Sequence, residues 1–231
     1  MTREEVAYRD GDTELTGTIF RPGSTPRAAI AVFPTIMNAT PAVQAKARAL
    51  SDAGYLAFLC DFYGETPDDF ARSVELSTAL RADPAAYRRR LLAGIAQMSA
   101  IAPGIAQGAI GFCMGGQAVL ELARARTKLE AVASFHGLLD TKVPAEPGAV
   151  SARILVCHGD ADPLVPRSQV LAFWEEMDRA GANWHFHSYS GVVHGFTNPN
   201  PPPAGGPPSF DPSADRQSWA AMLSLFDEVF G

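Results

Sequence analysis

Residues 109–120, AIGFCMGGQAVL, set an apolar strand, a turn and an apolar helix in immediate succession, with glycines on both sides of Cys113. A strand that turns straight into a helix leaves its corner residue on a backbone so tight that bulky neighbours would clash. Glycine at 111 and 115 relieves that crowding. The pattern is G-x-S-x-G with cysteine in the serine place, the signature of a nucleophile elbow. It also sets Cys113 at the first turn of a helix, where the peptide dipoles favour a thiolate over a thiol. The same residues describe equally well a buried cysteine in tight strand–helix packing, so the rest of the chain must separate the two.

The rest of the chain alternates strand and helix. Residues 4–9 and 13–20 flank Asp10-Gly11-Asp12 and read as an N-terminal hairpin. Ala28–Phe33 and Tyr55–Cys60 are unbroken apolar runs, as expected of strands buried on both faces. Between them Thr40 caps a helix with Pro41 at its first position, ending near Gly54. Asp83-Pro84 repeats that start, and the helix after it carries Tyr87, Leu91, Ile95, Met98 and Ile101 on one stripe. Arg88-Arg89-Arg90 falls mostly off the stripe and reads as a solvated face.

Gln107–Phe112, Glu130–Phe135, Arg153–Cys157 and Trp184–Tyr189 read as further strands, with helices at Gly116–Arg126 and Pro166–Ala180. Asn198–Pro212 is rich in proline and glycine and reads as an irregular surface loop. Trp219, Met222, Leu223, Phe226 and Phe230 mark a C-terminal amphipathic helix. Such alternation implies an α/β fold, a mostly parallel doubly wound sheet with helices on both faces. With no internal repeat or linker, residues 1–231 read as a single domain.

Composition narrows the partners. A formal net charge of −6 argues against nucleic acid or an anionic membrane. No run is long and apolar enough to span a bilayer, and the charged start lacks a signal-peptide core. The three cysteines, at 60, 113 and 157, cannot all pair, and a reducing cytoplasm is the simplest setting. Either a monomer or a homodimer fits this size.

Sites in open parallel sheets lie beyond the carboxyl ends of the strands. After Arg153–Cys157 comes HGDADPLVP, with Asp162; after Trp184–Tyr189 comes GVVHGF, with His194. Nucleophile, acid and histidine thus follow the chain order of α/β-hydrolases. In such a set His194 holds Cys113 as thiolate and then protonates the leaving group, while Asp162 fixes the imidazole tautomer. Asp160 competes for the acid role. The N–H of Met114 supplies one oxyanion donor; Pro34 has none to give, which leaves Thr35 or Ile36 for the second.

GFCMGG, HGDADPLVP and VHGFTNP, with DFYG at 61–64 and SFHG at 134–137, resemble the dienelactone hydrolase family over residues 14 to 230. The resemblance implies an α/β-hydrolase fold, a Cys113–His194–Asp162 triad, and cleavage of a small lactone or ester without cofactor or metal. It implies Ile36 as the second oxyanion donor. Where the well-studied lactone cleavers carry a glutamate beside the cysteine and an arginine for the substrate carboxylate, this chain has Thr35 and Asn198. The reaction type carries over; these two departures leave the dienelactone substrate itself open. Thr35, Tyr63, His136, Phe196 and Asn198 are expected around the substrate, with His136 at the pocket mouth.

Cys60 and Cys157 end apolar strands and read as core thiols. His185 and His187 share a strand face without an acidic or cysteine partner, which suits a surface or structural role better than a metal. Two other functions compete. A glutamine-amidotransferase-like protein also uses G-x-C-x-G, but it pairs the cysteine with H-x-E, and the histidines here lack that glutamate. A catalytically silent hydrolase scaffold that binds a ligand is the other.

Overall fold

The computed structural model describes residues 2–200 and 209–231, so the surface loop read across 198–212 lies partly outside the described residues. Strands β1 (Thr2–Asp10), β2 (Thr13–Arg21), β3 (Ala29–Phe33), β4 (Leu56–Leu59), β5 (Gln107–Phe112), β6 (Ala131–Phe135), β7 (Arg153–Gly159) and β8 (Trp184–Tyr189) form one sheet. Their order is β1-β2-β4-β3-β5-β6-β7-β8. β1 and β2 form the expected antiparallel hairpin, β2 joins β4 antiparallel, and β3 to β8 run parallel.

The helices are α1 (Pro41–Asp52), α2 (Phe70–Ala82), α3 (Pro84–Ile101), α4 (Met114–Arg124), α5 (Arg167–Ala180) and α6 (Pro212–Phe230). Thr40, Asp83 and Asp211 cap α1, α3 and α6 through their side-chain oxygens, each followed by proline. The helices cover both faces. Residues of α3, α4 and α5 bury one side of the sheet, and residues of α1 and α6 the other. The chain leaves β3 toward β4 in one direction and β5 toward β6 in the other. The crevice between the carboxyl ends of β3 and β5 is therefore the topological switch point, where ligands bind in such sheets.

One element goes unread in the sequence, and one reading needs correction. The stretch 70–82 carries no apolar stripe, yet it is helical. Its buried residues are Ser73 and Ser77, whose hydroxyls bond back to Phe70 and Val74 carbonyls, while Phe70 and Val74 face out. The arginine run is a solvated face only at Arg89, which is exposed; Arg88 and Arg90 are largely covered. Arg90 reaches Asp10 at 2.8 Å and the Thr13 hydroxyl at 3.0 Å, and Arg89 reaches Asp10 at 2.9 Å. Arg88 meets Glu121 of α4 at 2.9 Å. The run ties α3 to the hairpin turn on one side and to the helix behind Cys113 on the other.

Candidate active site

Strand register brings the candidate groups together. Phe33 pairs with Gly111, Phe112 with Phe135, and Phe135 with Cys157. The residues that follow, from Pro34, Cys113 and His136, therefore emerge side by side at the carboxyl edge. Cys113 itself has φ 57° and ψ −116°. That conformation costs a non-glycine residue about 1–3 kcal/mol and persists only where its surroundings impose it. They do so here. A Cβ on Gly111 would run into the Gly115 carbonyl, and one on Gly115 into the Phe33 and Pro34 carbonyls. The two glycines let the elbow close against the end of β3.

The half-buried Cys113 faces His194. His194 Nδ1 lies 2.7 Å from the buried Asp162 Oδ2, and its Nε2 is buried without another hydrogen-bond partner. Asp162 is held in turn by the Leu164 N–H at 2.9 Å. Burial opposes a charged imidazole at His194, but the Asp162 carboxylate and then the Cys113 sulfur outweigh it and raise its pKa. Burial likewise raises the Cys113 thiol. The His194 imidazole and the N–H groups of Met114 and Ile36 overcome that, so Cys113 titrates below an ordinary thiol. The other two cysteines move the opposite way: burial pushes Cys157 up to about 12 and Cys60 well above its usual range.

The structure thus brings Cys113, His194, Asp162, Met114 and Ile36 together. It leaves Asp160 outside, gripped by Arg167 at 2.6 and 3.1 Å. Of the two donors open in the β3 loop, the N–H beside the sulfur is that of Ile36. The Thr35 hydroxyl is engaged within the loop, accepting the Met37 N–H at 3.2 Å. Buried Asn38 closes this turn at φ 59°, its N–H on the Thr35 carbonyl and its side chain on Asp61 at 2.7 Å. Asp61 also accepts the N–H groups of Thr16, Tyr63 and Gly64. The turn that aims Ile36 is braced from β4 and β2.

A cavity of about 180 Å³ opens onto Cys113 and His194. Thr35 and Asn198 line it as expected; Met37, Ala42, Val43 and Lys46, from the β3 loop and α1, line it unforeseen. Their place follows from Thr40-Pro41, which starts α1 at the carboxyl edge of the sheet. Three expectations change. Phe196 is fully buried against Tyr189 and His136, in the core beneath the cavity. Tyr63 does not line the cavity; its hydroxyl donates to Met114 Sδ at 3.4 Å. His136 belongs to the floor and not the mouth, since it is 2% exposed and both its ring nitrogens are engaged. His185 and His187 are exposed on the edge strand β8. Among the described residues no helix is long and apolar enough to cross a membrane.

Comparison with known proteins agrees with this architecture. The model of the dienelactone hydrolase family matches residues 15–230. Among curated proteins, an uncharacterized Caenorhabditis elegans protein is 40% identical over 53% of this chain and 80% of its own length. Carboxymethylenebutenolidase 2 of Cupriavidus pinatubonensis is 33% identical over 62% of this chain and 66% of its own. The crystal structure of a dienelactone hydrolase-like promiscuous phosphotriesterase from metagenomic libraries superimposes with TM-score 0.92 at 34% identity, covering 100% of this chain and 99% of that one. Matched by the family model over nearly its whole length, the chain belongs to the dienelactone hydrolase family and is a hydrolase of the ester and lactone type.

Proposed function

We propose that this hydrolase cleaves a small, uncharged ester or lactone through an acyl-enzyme on Cys113. The Cys113 thiolate attacks the carbonyl carbon, and the oxyanion that forms takes the N–H groups of Met114 and Ile36. The His194 imidazolium then gives its proton to the leaving alkoxide as the C–O bond breaks. Water, deprotonated by His194, hydrolyses the thioester, releases the acid and returns the thiolate–imidazolium pair. Asp162 keeps the Nδ1 proton in place throughout. The observation that carries this reading is the 2.7 Å contact of His194 with Asp162, with the free Nε2 turned to a sulfur that two backbone donors already face.

The preference for an uncharged substrate rests on the cavity wall. Apart from the His194 imidazolium, which is paired with the thiolate, Lys46 is the one cation among the described lining residues, and it is occupied: its ammonium sits 2.5 Å from Asp215 and 5.1 Å over the Trp219 ring. The nearby side chains, Met37, Ala42, Val43 and Phe112, are apolar. A substrate carboxylate would lose its hydration there with no unpaired cation among the described lining residues to receive it. Hence kcat/KM for p-nitrophenyl acetate should exceed that for the mono-p-nitrophenyl ester of succinic acid by about tenfold or more. A preference for the carboxylate ester that disappears in Lys46→Met would contradict this substrate class. The same uncharged wall, with the similarity to a promiscuous phosphotriesterase, favours a second, weaker activity on neutral phosphotriesters.

The pH dependence has a defined sign. The attacking species is the thiolate, and its pKa is depressed. The acylation rate should therefore persist as pH falls through about 8.5, the ordinary thiol value, and decline only around the lowered pKa. A pre-steady-state pH profile of p-nitrophenolate release checks this; a rate that halves near 8.5 would rule out the activated thiol.

A further inference from the structure

His136 has an environment that the triad chemistry does not use. Register places it beside Cys113, at the end of β6, and its backbone takes φ 41°. Its Nδ1 lies 3.1 Å from the Cys113 backbone nitrogen, whose N–H it shares with the Phe135 carbonyl at 3.0 Å, and its Nε2 lies 2.8 Å from Thr197 Oγ1, three residues past His194. The ring packs edge-on against His194 and Phe196, each 5.2 Å away between centroids.

These contacts fix its protonation. A backbone N–H can only donate, so a proton on Nδ1 would face it donor to donor; Nδ1 shares this N–H with the Phe135 carbonyl and carries no proton. The one proton of the neutral ring is then on Nε2, donated to the Thr197 hydroxyl. A second proton would set a donor against the Cys113 N–H and a positive charge beside the His194 imidazolium. Burial first, then the charges of His194 and Lys46, keep His136 neutral far below the usual histidine range.

We propose that His136 is a positioning residue, a neutral Nε2–H imidazole that locks the nucleophile elbow and the histidine loop to one another. One ring spans the Cys113 amide and Thr197, so it fixes the distance and angle between sulfur and imidazole that proton transfer requires. It ties directly two segments 81 residues apart in the chain, beyond the anchors that Asp162 and Phe196 give the histidine loop. A misplacement of about 1 Å between reacting groups costs up to roughly 100-fold in rate.

The inference rests on the Cys113–His194 reading, and the experiment separates the two. Thr197→Val and His136→Asn remove the His136–Thr197 bond from either end. Asparagine keeps an acceptor near the Cys113 N–H and tolerates the positive φ. Wild type, both variants, the double variant and Thr197→Ser are compared in kcat and KM for p-nitrophenyl acetate. The pH dependence of iodoacetamide alkylation is followed on the Cys113 peptide. Each single variant should lower kcat by about 10-fold or more with KM nearly unchanged, and move the acid limb of alkylation toward that of an ordinary thiol. The double variant should be no worse than either single one, because all three lack the same bond, and Thr197→Ser should recover most of the rate. Folded variants with unchanged kcat and an unchanged alkylation limb would overturn the positioning role and leave His136 a packing residue. Wild type that alkylates like an ordinary thiol would overturn the nucleophile reading itself.

Discussion

Cys113→Ala lowers kcat/KM for p-nitrophenyl acetate by about four orders of magnitude or more, and His194→Ala by a comparable factor, since each residue is useless without the other. Alanine at 113 removes the atom that forms the acyl bond in the proposed mechanism. Nothing nearby replaces it, because Cys60 and Cys157 are buried and their thiols are pushed up in pKa. Alanine at 194 leaves the sulfur in place but takes away the imidazole that outweighs its burial, so the thiol form returns. The double variant should lose little beyond either single one, the behaviour of groups that act as a unit. Steady-state kinetics with circular dichroism as the folding control checks both statements. Additive losses would mean that the two residues act separately.

The second large effect is on stability. Arg124 closes the helix that Cys113 begins, and its side chain is fully buried. It forks onto Glu176 of α5 at 2.9 and 2.8 Å, meets Glu121 at 3.1 Å, and donates to the Leu139 carbonyl at 2.8 Å. Charges withdrawn from water are tolerated when every partner is present, and removal of one leaves the others exposed to the full desolvation cost. Arg124→Ala strands Glu176 with little beyond the Ala145 N–H, and leaves Glu121 to Arg88 alone. The expected loss is about 3–5 kcal/mol, read as a lower urea midpoint with an unchanged slope. Adding Glu176→Gln to Arg124→Ala should recover part of it, because the stranded charge is then gone. A loss below about 1 kcal/mol would show that water reaches this cluster.

The sheet was legible because burial on both faces leaves no polar residue in β3 or β4 and only Ser134 in β6, and such apolar runs have few other uses. The elbow was legible for a steric reason: only glycine fits at 111 and 115 when Cys113 takes its left-handed turn. Helix α2 was not, since it buries serines and exposes Phe70, the reverse of the pattern that periodicity detects. The role of the arginine run depends on Asp10 and Glu121, partners distant in sequence that only the fold brings near.

The same limit applies at the site. Cys113, Asp162 and His194 each follow a strand in the order of the proposed chemistry, so chain order singled them out as candidates. His136 also follows a strand, yet sequence gives no sign of which way its ring turns. Its contact with the Cys113 amide depends on the β5–β6 register and on φ 41°, neither written in local composition. Asn38 and Lys46 escaped notice because their partners, Asp61 and Asp215, come from other elements.

The most direct test of the account is to find the acyl group. Enzyme mixed with p-nitrophenyl acetate, quenched in acid before the steady state and digested, should carry one acetyl group on the peptide that contains Cys113. That group should be lost to hydroxylamine as a thioester is, and be absent in Cys113→Ala. Full turnover with no acetyl on that peptide, or with acetyl on another residue that wild type and Cys113→Ala share, would contradict nucleophilic catalysis by Cys113.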